Sequence, residues 1–141
     1  MSNSKIRLGI LGGGGNSLIG VLHRIASSMF DRYQIVGGVF NPSWDENIEF
    51  ATKIGLPTNR IYKDVDTLIE EELRLPEAQR MQVVSILTPN FLHFPMAKTL
   101  LENGNASVLM NALNAPSVIA PYDNNGNFTP FPGGSLGLSL I

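Results

Sequence analysis

Residues 6–20 read Ile6-Arg-Leu-Gly-Ile-Leu-Gly-Gly-Gly-Gly-Asn-Ser-Leu-Ile-Gly20 and carry the strongest structural signal in the chain. The apolar run Ile6 to Leu11 ends in four glycines, as a buried strand entering a tight turn does. Ser17 is available as the N-cap of a following helix. The apolar residues of that helix recur at helical spacing and are Leu18, Val21, Leu22, Ile25 and Met29.

Strand-like and helix-like segments alternate beyond this stretch. Strands are predicted at residues 34–40, 60–62, 82–87 and 107–110. Ser43 and Glu46 have capping-box spacing at the start of a second helix, which Gly55 ends. Pro95 is predicted in the first turn of a fourth helix that ends at Gly104.

The third predicted helix has two contrasting sides. Its apolar side is formed by Val65, Leu68, Ile69 and Leu73. Its other side, Glu70 to Glu72, is predicted to face solvent, as runs of charge on helices usually do.

This alternation predicts an α/β fold, a doubly wound parallel sheet of about five strands with right-handed crossovers. Ligands of such sheets bind beyond the carboxyl ends of the strands. The strand ends at Gly12–Gly15, Asn41–Ser43 and Thr88–Asn90 are therefore expected to meet in one cleft. Residues 1–110 form the predicted domain, and residues 111–141 form an irregular tail rich in Asn, Pro and Gly.

Composition excludes several classes of function. The net charge of −2 offers no electrostatic footprint for nucleic acid or an anionic membrane. The chain has no cysteine and two histidines, so we expect neither thiolate chemistry nor a metal site. No run of 18 apolar residues occurs and no signal-peptide core is present, which predicts a cytoplasmic protein without a membrane partner.

The glycine cluster is the main candidate for binding a ligand. A dinucleotide diphosphate needs backbone N–H donors at a helix N-terminus and no side chain in the way. Gly12 and Gly14 follow the strand directly, and Gly20 lies early in the helix. Five residues separate Gly14 from Gly20, whereas the usual fingerprint has two, but the strand before and the helix after supply the required context.

Several motifs in order resemble the glucose–fructose oxidoreductase and inositol dehydrogenase (Gfo/Idh/MocA) family. The run Gly12 to Arg24 resembles its branch with a lengthened glycine loop, and Tyr62-Lys-Asp64 with Leu68 resembles its Y-x-D-x-x-x-L stretch. Thr88-Pro-Asn-Phe-Leu-His93 resembles its T-P-N-x-x-H signature. The helix matching A-x-x-x-L-x-x-G, residues 97–104, follows, so the resemblance spans about residues 5–104.

The resemblance implies a Rossmann domain that binds NAD or NADP and belongs to an oxidoreductase acting on sugars, cyclitols or related polyols. The residues it places around the diphosphate are Gly12, Gly14, Asn16, Ser17 and Ile19. The residues it places near the nicotinamide are Thr88, Pro89, Asn90 and His93. His23 is expected to pack rather than to catalyse. Trp44 and Tyr62 are candidates for the border of an adenine pocket, although core packing is the more common role of either residue.

The end of the second strand departs from the usual NAD pattern, in which an acidic residue binds the ribose 2′-hydroxyl. Asn41 occupies that place, with Ser43 as an additional donor, and an amide does not repel a 2′-phosphate. No Arg or Lys stands beside Asn41 in the sequence. The expected cofactor is therefore NAD or NADP, and the sequence slightly favours NADP.

A second departure concerns catalysis. The family's Glu-Lys-Pro turn supplies a lysine at the substrate, but the corresponding residues here are Asn111-Ala-Leu113 or Asn114-Ala-Pro116, and no lysine follows Lys98. We therefore expect no catalytic residue in this chain and little turnover alone, as in a truncated or altered version of a longer enzyme. A small-molecule substrate is expected only in a full-length relative.

Two other interpretations stay open. A non-catalytic dinucleotide-sensing or protein-interaction module would also lack the lysine. A methyltransferase-like fold ranks third, since it gives Thr88-Pro-Asn90 no role. Because the family's sheet continues beyond five strands, an unpaired edge and apolar surface also make self-association possible.

Overall fold

The computed structural model describes residues 5–103 and the backbone of residues 107–110. The strands are β1 (Ile6–Gly12), β2 (Tyr33–Val39), β3 (Val83–Leu87) and β4 (Ser107–Met110). The helices are α1 (Leu18–Ser28), α2 (Trp44–Lys53), α3 (Val65–Arg74) and α4 (Asn90–Glu102). The tail predicted at residues 111–141 lies outside the described residues.

The strands form one parallel sheet in the order β2-β1-β3-β4. This arrangement confirms the predicted doubly wound α/β fold, because the chain moves outward from β1 in one direction and then crosses to β3 on its other side. All of the strand carboxyl ends therefore lie at one edge of the sheet. The Gly12, Val39 and Leu87 ends define the position of the site.

The side chains of β1 alternate between two cores, one on each face of the sheet. Leu11 belongs to a core with the buried residues Leu68 of α3 and Ala97 and Leu100 of α4. Leu8 and Ile10 belong to the other, with Phe50 and Ala51 of α2. Both faces are covered, as a parallel sheet requires.

The segment predicted as a strand at residues 60–62 contributes a single bridge, between Gly38 and Ile61. A turn of 3₁₀-helix occupies Thr58–Arg60, and Asp64 already caps α3. Only three residues remain between these two elements, too few for a ladder. The segment still runs along β2, since the Tyr62 N–H donates to the Gly38 carbonyl at 3.0 Å.

Two predicted helix details were wrong. Pro95 lies inside α4, which begins at Asn90 with Pro89 as its N-cap. The missing N–H of Pro95 is tolerated because Pro95 is on the exposed side of the helix. Ser43 is the N-cap of α2, but its side chain accepts no capping hydrogen bond, so the Ser43–Glu46 capping box does not form.

The acidic side of α3 is only partly solvated. Glu70 is exposed and Glu71 is half-buried, but Glu72 is buried, which corrects the prediction for that residue. Arg60, Tyr62 and the Met81 N–H all donate to its carboxylate. Glu72 is paired rather than hydrated.

No helix within the described ranges combines the length and apolar character needed to cross a bilayer.

Candidate functional site

The glycine turn after β1 packs closely against the end of β3. Gly12 has a φ of +80°, and a Cβ atom added there would lie 2.8 Å from the Thr88 nitrogen. Gly14 is similarly tight, since a Cβ atom there would lie 2.6 Å from the Phe40 carbonyl oxygen. Glycine is required at both positions because neighbouring backbone occupies the space of a side chain.

The N-terminus of α1 is held against the same turn. A Cβ atom at Gly20 would lie 1.9 Å from the Gly13 oxygen, so α1 approaches the turn at a distance only glycine allows. The Ser17 hydroxyl accepts from the Gly20 N–H at 3.1 Å, which confirms the predicted cap, and Arg24 donates to the Gly13 oxygen at 2.8 Å. The first amides of α1, at Leu18 and Ile19, have no acceptor within the helix.

The glycine turn is also tied to the end of β2. The Gly14 N–H donates to the Phe40 carbonyl at 3.2 Å. Asn41 begins the following loop, and its side-chain oxygen accepts from the Ser43 N–H at 3.0 Å. Trp44 then starts α2, and the Lys63 ammonium lies 5.8 Å from the centroid of its ring.

A buried amide links the end of β2 to the segment before α3. Asn47 is fully buried, and its side-chain oxygen accepts from the Phe40 N–H at 2.8 Å. Its amide nitrogen donates to the Tyr62 carbonyl, also at 2.8 Å. Asn41 and Lys63, which follow Phe40 and Tyr62 in the chain, therefore leave two segments that are hydrogen-bonded to the same side chain.

The end of β3 is fixed by His93. This side chain is buried, and its Nε2 lies 2.7 Å from the Thr88 carbonyl oxygen. A carbonyl can only accept, so His93 carries its proton on Nε2 and donates it there. The Thr88 hydroxyl donates to the Met96 sulfur at 3.6 Å. His93 thus orients the Thr88-Pro89 turn from behind.

These strand ends enclose one cleft with a volume of about 530 Å³. It is lined by Leu11, Gly12, Gly13, Gly14, Ser17, Val39, Phe40, Asn41, Pro42, Lys63, Asp64, Val65, Leu87, Thr88, Pro89, Leu92 and Met96. The volume lies within the range of small-molecule sites, and the lining is mostly apolar with a few polar groups, as in such sites generally. The expected convergence of the three strand ends is present.

The predicted site residues divide into two groups. Those that line the cleft are Gly12, Gly14, Ser17, Asn41, Thr88 and Pro89. Those outside its lining are Asn16, Ile19, Ser43, Asn90 and His93. Asn16 and Ser43 are exposed beside it, Ile19 packs on the core of α2, and Asn90 begins α4. His23 also lies elsewhere, with its Nδ1 3.3 Å from the Ser85 hydroxyl.

Sequence reasoning missed the segment Lys63–Val65 as part of the cleft, together with Leu92 and Met96. The sequence did indicate this position. Residues 62–64 connect a strand-like segment to the following helix, and such connections lie at the sheet edge where the parallel strands end. Asp64 caps α3: its carboxylate accepts from the Thr67 N–H at 2.7 Å, and this hydrogen bond lowers the pKa of Asp64. Within the described part of the chain, no cluster of three His, Cys, Asp or Glu could hold a metal ion.

Residues 6–111 match the model of an oxidoreductase family described by an NAD-binding Rossmann fold, GFO_IDH_MocA. The uncharacterized oxidoreductase YfiI of Bacillus subtilis (strain 168) is 31% identical over 103 residues, which are 72% of this chain and 26% of that protein. The chain thus spans about a quarter of this relative's length.

Solved structures agree with this match. An oxidoreductase from Pseudomonas syringae is 34% identical with a TM-score of 0.71, covering 76% of this chain and 29% of that one. An inositol dehydrogenase homolog from Azotobacter vinelandii, complexed with NADH and myo-inositol, is 35% identical with a TM-score of 0.68. That match covers 78% of this chain and 30% of the other.

Proposed function

Since the chain belongs to the Gfo/Idh/MocA oxidoreductase family, and the matched part is its NAD-binding Rossmann fold, we propose that residues 1–110 bind a nicotinamide dinucleotide in the cleft between the ends of β1, β2 and β3. The observation that carries the proposal is the glycine turn. Gly12, Gly13 and Gly14 line the cleft without side chains, and the first amides of α1 lie beside this turn. This is the arrangement that a diphosphate needs.

Each part of the cleft takes one part of the dinucleotide. The diphosphate lies by Gly12, Gly14 and Ser17 in the lining, with Asn16 and Ile19 just outside it. The adenosine ribose lies by Asn41 in the lining, with Ser43 just outside it. The nicotinamide lies by Thr88, Pro89 and Asn90, with His93 holding the Thr88 carbonyl in place. The bound cofactor supplies hydride transfer, while the protein binds and orients it.

The test is a fluorescence titration of the full chain with NADH, NADPH and S-adenosylmethionine. We expect saturable enhancement of the reduced-nicotinamide emission with at least one dinucleotide and no displacement by S-adenosylmethionine. Absence of binding by a chain whose circular dichroism shows it folded would contradict the proposal. Displacement by S-adenosylmethionine would support the methyltransferase-like alternative instead.

The substrate class follows from the relatives. The Azotobacter vinelandii homolog was solved with NADH and myo-inositol, so we propose that this domain serves an enzyme acting on sugars, cyclitols or related polyols. The chain has no lysine after Lys98, and hydride transfer needs both reactants positioned. Incubation with NAD and myo-inositol is therefore expected to produce no NADH, and measurable turnover would contradict a non-catalytic chain.

The missing lysine equally favours the second candidate, a dinucleotide-sensing or interaction module. The two candidates differ in what happens when a substrate-binding partner is present. Turnover restored by adding the remainder of a related enzyme would favour the oxidoreductase half. Dinucleotide binding that changes the affinity of a protein partner, with no turnover, would favour the module.

The cofactor preference leans to NADP because Asn41 stands where an acidic residue usually excludes the 2′-phosphate. Asn41→Asp should weaken NADPH binding more than NADH binding, as measured by the same titration. Equal weakening of both would contradict the assignment of this position to the ribose.

A further inference from the structure

We propose that Lys63 reads the 2′ position of the adenosine ribose and makes the cleft prefer a 2′-phosphate, an inference that rests on the dinucleotide-binding function proposed above. In the sequence no Lys or Arg stands beside Asn41. In the folded chain, Lys63 and Asn41 line the same cleft.

The juxtaposition is enforced by the buried amide of Asn47. Its two hydrogen bonds fix Phe40 and Tyr62, and each of these residues immediately precedes one of the two lining residues. The Tyr62 N–H donates to the Gly38 carbonyl as well, at 3.0 Å. Asn41 and Lys63 therefore each follow a segment that is fixed by hydrogen bonds, and both line the cleft.

The Lys63 charge is available to a ligand. Lys63 is exposed, and it takes part in none of the ion pairs among residues 5–103. Its ammonium lies 5.8 Å from the centroid of the Trp44 ring, a contact that uses none of its N–H donors.

Four carboxylates lie within five residues of Asn41 or Lys63 in the sequence: Asp45, Glu46, Asp64 and Asp66. Asp66 is exposed and does not line the cleft. Asp64 is the cap of α3, with its carboxylate on the Thr67 N–H at the positive end of that helix. Asp45 and Glu46, in the first turn of α2, are exposed and do not line the cleft. The Asp64 carboxylate also lines the cleft, and its pKa is lowered mainly by the hydrogen bond from Thr67 and to a smaller extent by the charge of Lys63. A phosphate at the Asn41 edge would therefore meet an amide, an ammonium and this one capping carboxylate.

The experiment compares NADPH with NADH binding in the full chain and in Lys63→Met, which keeps the aliphatic stem and removes the charge. We expect the wild-type chain to bind NADPH more tightly than NADH. Lys63→Met should lower NADPH affinity about tenfold, as losing one phosphate contact to a lysine does, and change NADH affinity less than twofold. Lys53→Met, at the far end of α2, is the matched control and should change neither.

Two further probes separate charge recognition from a general loss of structure. 2′,5′-ADP should displace NADPH from the wild-type chain at a lower concentration than 5′-AMP does. The two nucleotides should displace it from Lys63→Met at similar concentrations. Raising the salt concentration should reduce the ratio of NADPH affinity to NADH affinity in the wild-type chain. The ratio in Lys63→Met should not change.

The outcomes are distinguishable from failure of the proposed function. If the folded wild-type chain binds neither dinucleotide, dinucleotide binding itself is wrong. If it binds dinucleotides but prefers NADH, or if Lys63→Met weakens both equally, dinucleotide binding stands and the role of Lys63 is overturned.

Discussion

Glu72 holds together three segments that are distant in the sequence. Its carboxylate receives two donors from the Arg60 guanidinium, at 2.9 and 2.7 Å on one oxygen, and the Tyr62 hydroxyl at 2.6 Å. The Met81 N–H donates to the other oxygen at 2.8 Å. Burial and the hydrogen bond to Glu72 raise the pKa of Tyr62, which therefore stays protonated at all ordinary pH values. The network fixes the segment that leads into the cleft.

Glu72→Gln should lower the free energy of unfolding by about 3 kcal/mol, because it leaves the guanidinium of Arg60 poorly compensated in a buried site. Urea unfolding followed by circular dichroism measures it. Glu71→Gln is the control: its pair with Arg74 is on the surface, so its removal should cost at most about 0.5 kcal/mol. Equal effects of the two substitutions would contradict the network.

Gly20 offers a second residue-scale test. Gly20→Ala places a Cβ atom in the Gly13 carbonyl, so α1 must shift; we expect a cost of about 2–3 kcal/mol and loss of dinucleotide binding. A Cβ atom at Gly15 would meet no atom within 4 Å. Gly15→Ala should therefore cost only the strain of an alanine at a φ of +56°, about 1 kcal/mol. Thermal unfolding and NADH titration of both variants check the difference. A Gly20→Ala variant that binds normally would contradict the close packing.

At the scale of elements, α3 depends on its cap. The Asp64 carboxylate accepts from the Thr67 N–H, and this bond lowers the pKa of Asp64 below its unfolded value. The stabilisation is therefore complete above the unfolded pKa, near 3.9, and is lost as the pH falls through the folded pKa.

Asp64→Ala should destabilise the chain by about 1 kcal/mol at pH 7, and this difference should shrink below about pH 4. Asp64→Asn keeps a side-chain hydrogen-bond acceptor at every pH. It should therefore lower the free energy of unfolding at pH 7 by less than Asp64→Ala does. Urea titrations at pH 7 and pH 3 measure both. A difference between wild type and Asp64→Ala that is the same at the two pH values would show that the carboxylate does not cap α3.

The helices and four of the five predicted strands were predictable from the sequence because periodicity and caps are local. The first and last residues of these elements were less predictable. Pro95 indicated the start of a helix, but α4 begins at Asn90 because the Thr88-Pro89 turn already ends β3. The burial of Glu72 and the link of the Lys63 segment to the end of β2 through Asn47 were not predictable. Each depends on hydrogen bonds from segments about ten or more residues away, which no local pattern records.

At the scale of the whole molecule, α1 presents an apolar face to solvent. Leu18, Leu22, Ile25 and Met29 are 70%, 48%, 54% and 66% exposed. Periodicity predicted this face but not what covers it. The one arginine of the helix, Arg24, is turned inward to Gly13 and the Phe50 ring, so no charge interrupts the face. Such patches on a chain in solution favour association.

We therefore expect the chain to self-associate with rising concentration, and Leu22→Lys combined with Ile25→Lys to suppress it without loss of helical signal. Analytical ultracentrifugation measures the mass. Ala78→Lys combined with Gln79→Lys, at two exposed residues after α3, adds the same charge away from α1; it is the control and should leave association unchanged. An unchanged mass in the double variant would show that another surface is responsible.

The amide of Asn47 bears on the thermodynamics of binding as well as on geometry. Because it locks the two walls of the ribose end to each other before any ligand arrives, little backbone entropy is left to lose on association. A single isosteric change, Asn47→Asp, would turn its donor toward the Tyr62 carbonyl into an acceptor and loosen the two walls, which would keep the hydrogen bond between the Tyr62 N–H and the Gly38 carbonyl. Affinity for every dinucleotide would then fall through an entropic penalty, although no group touching the ligand had changed.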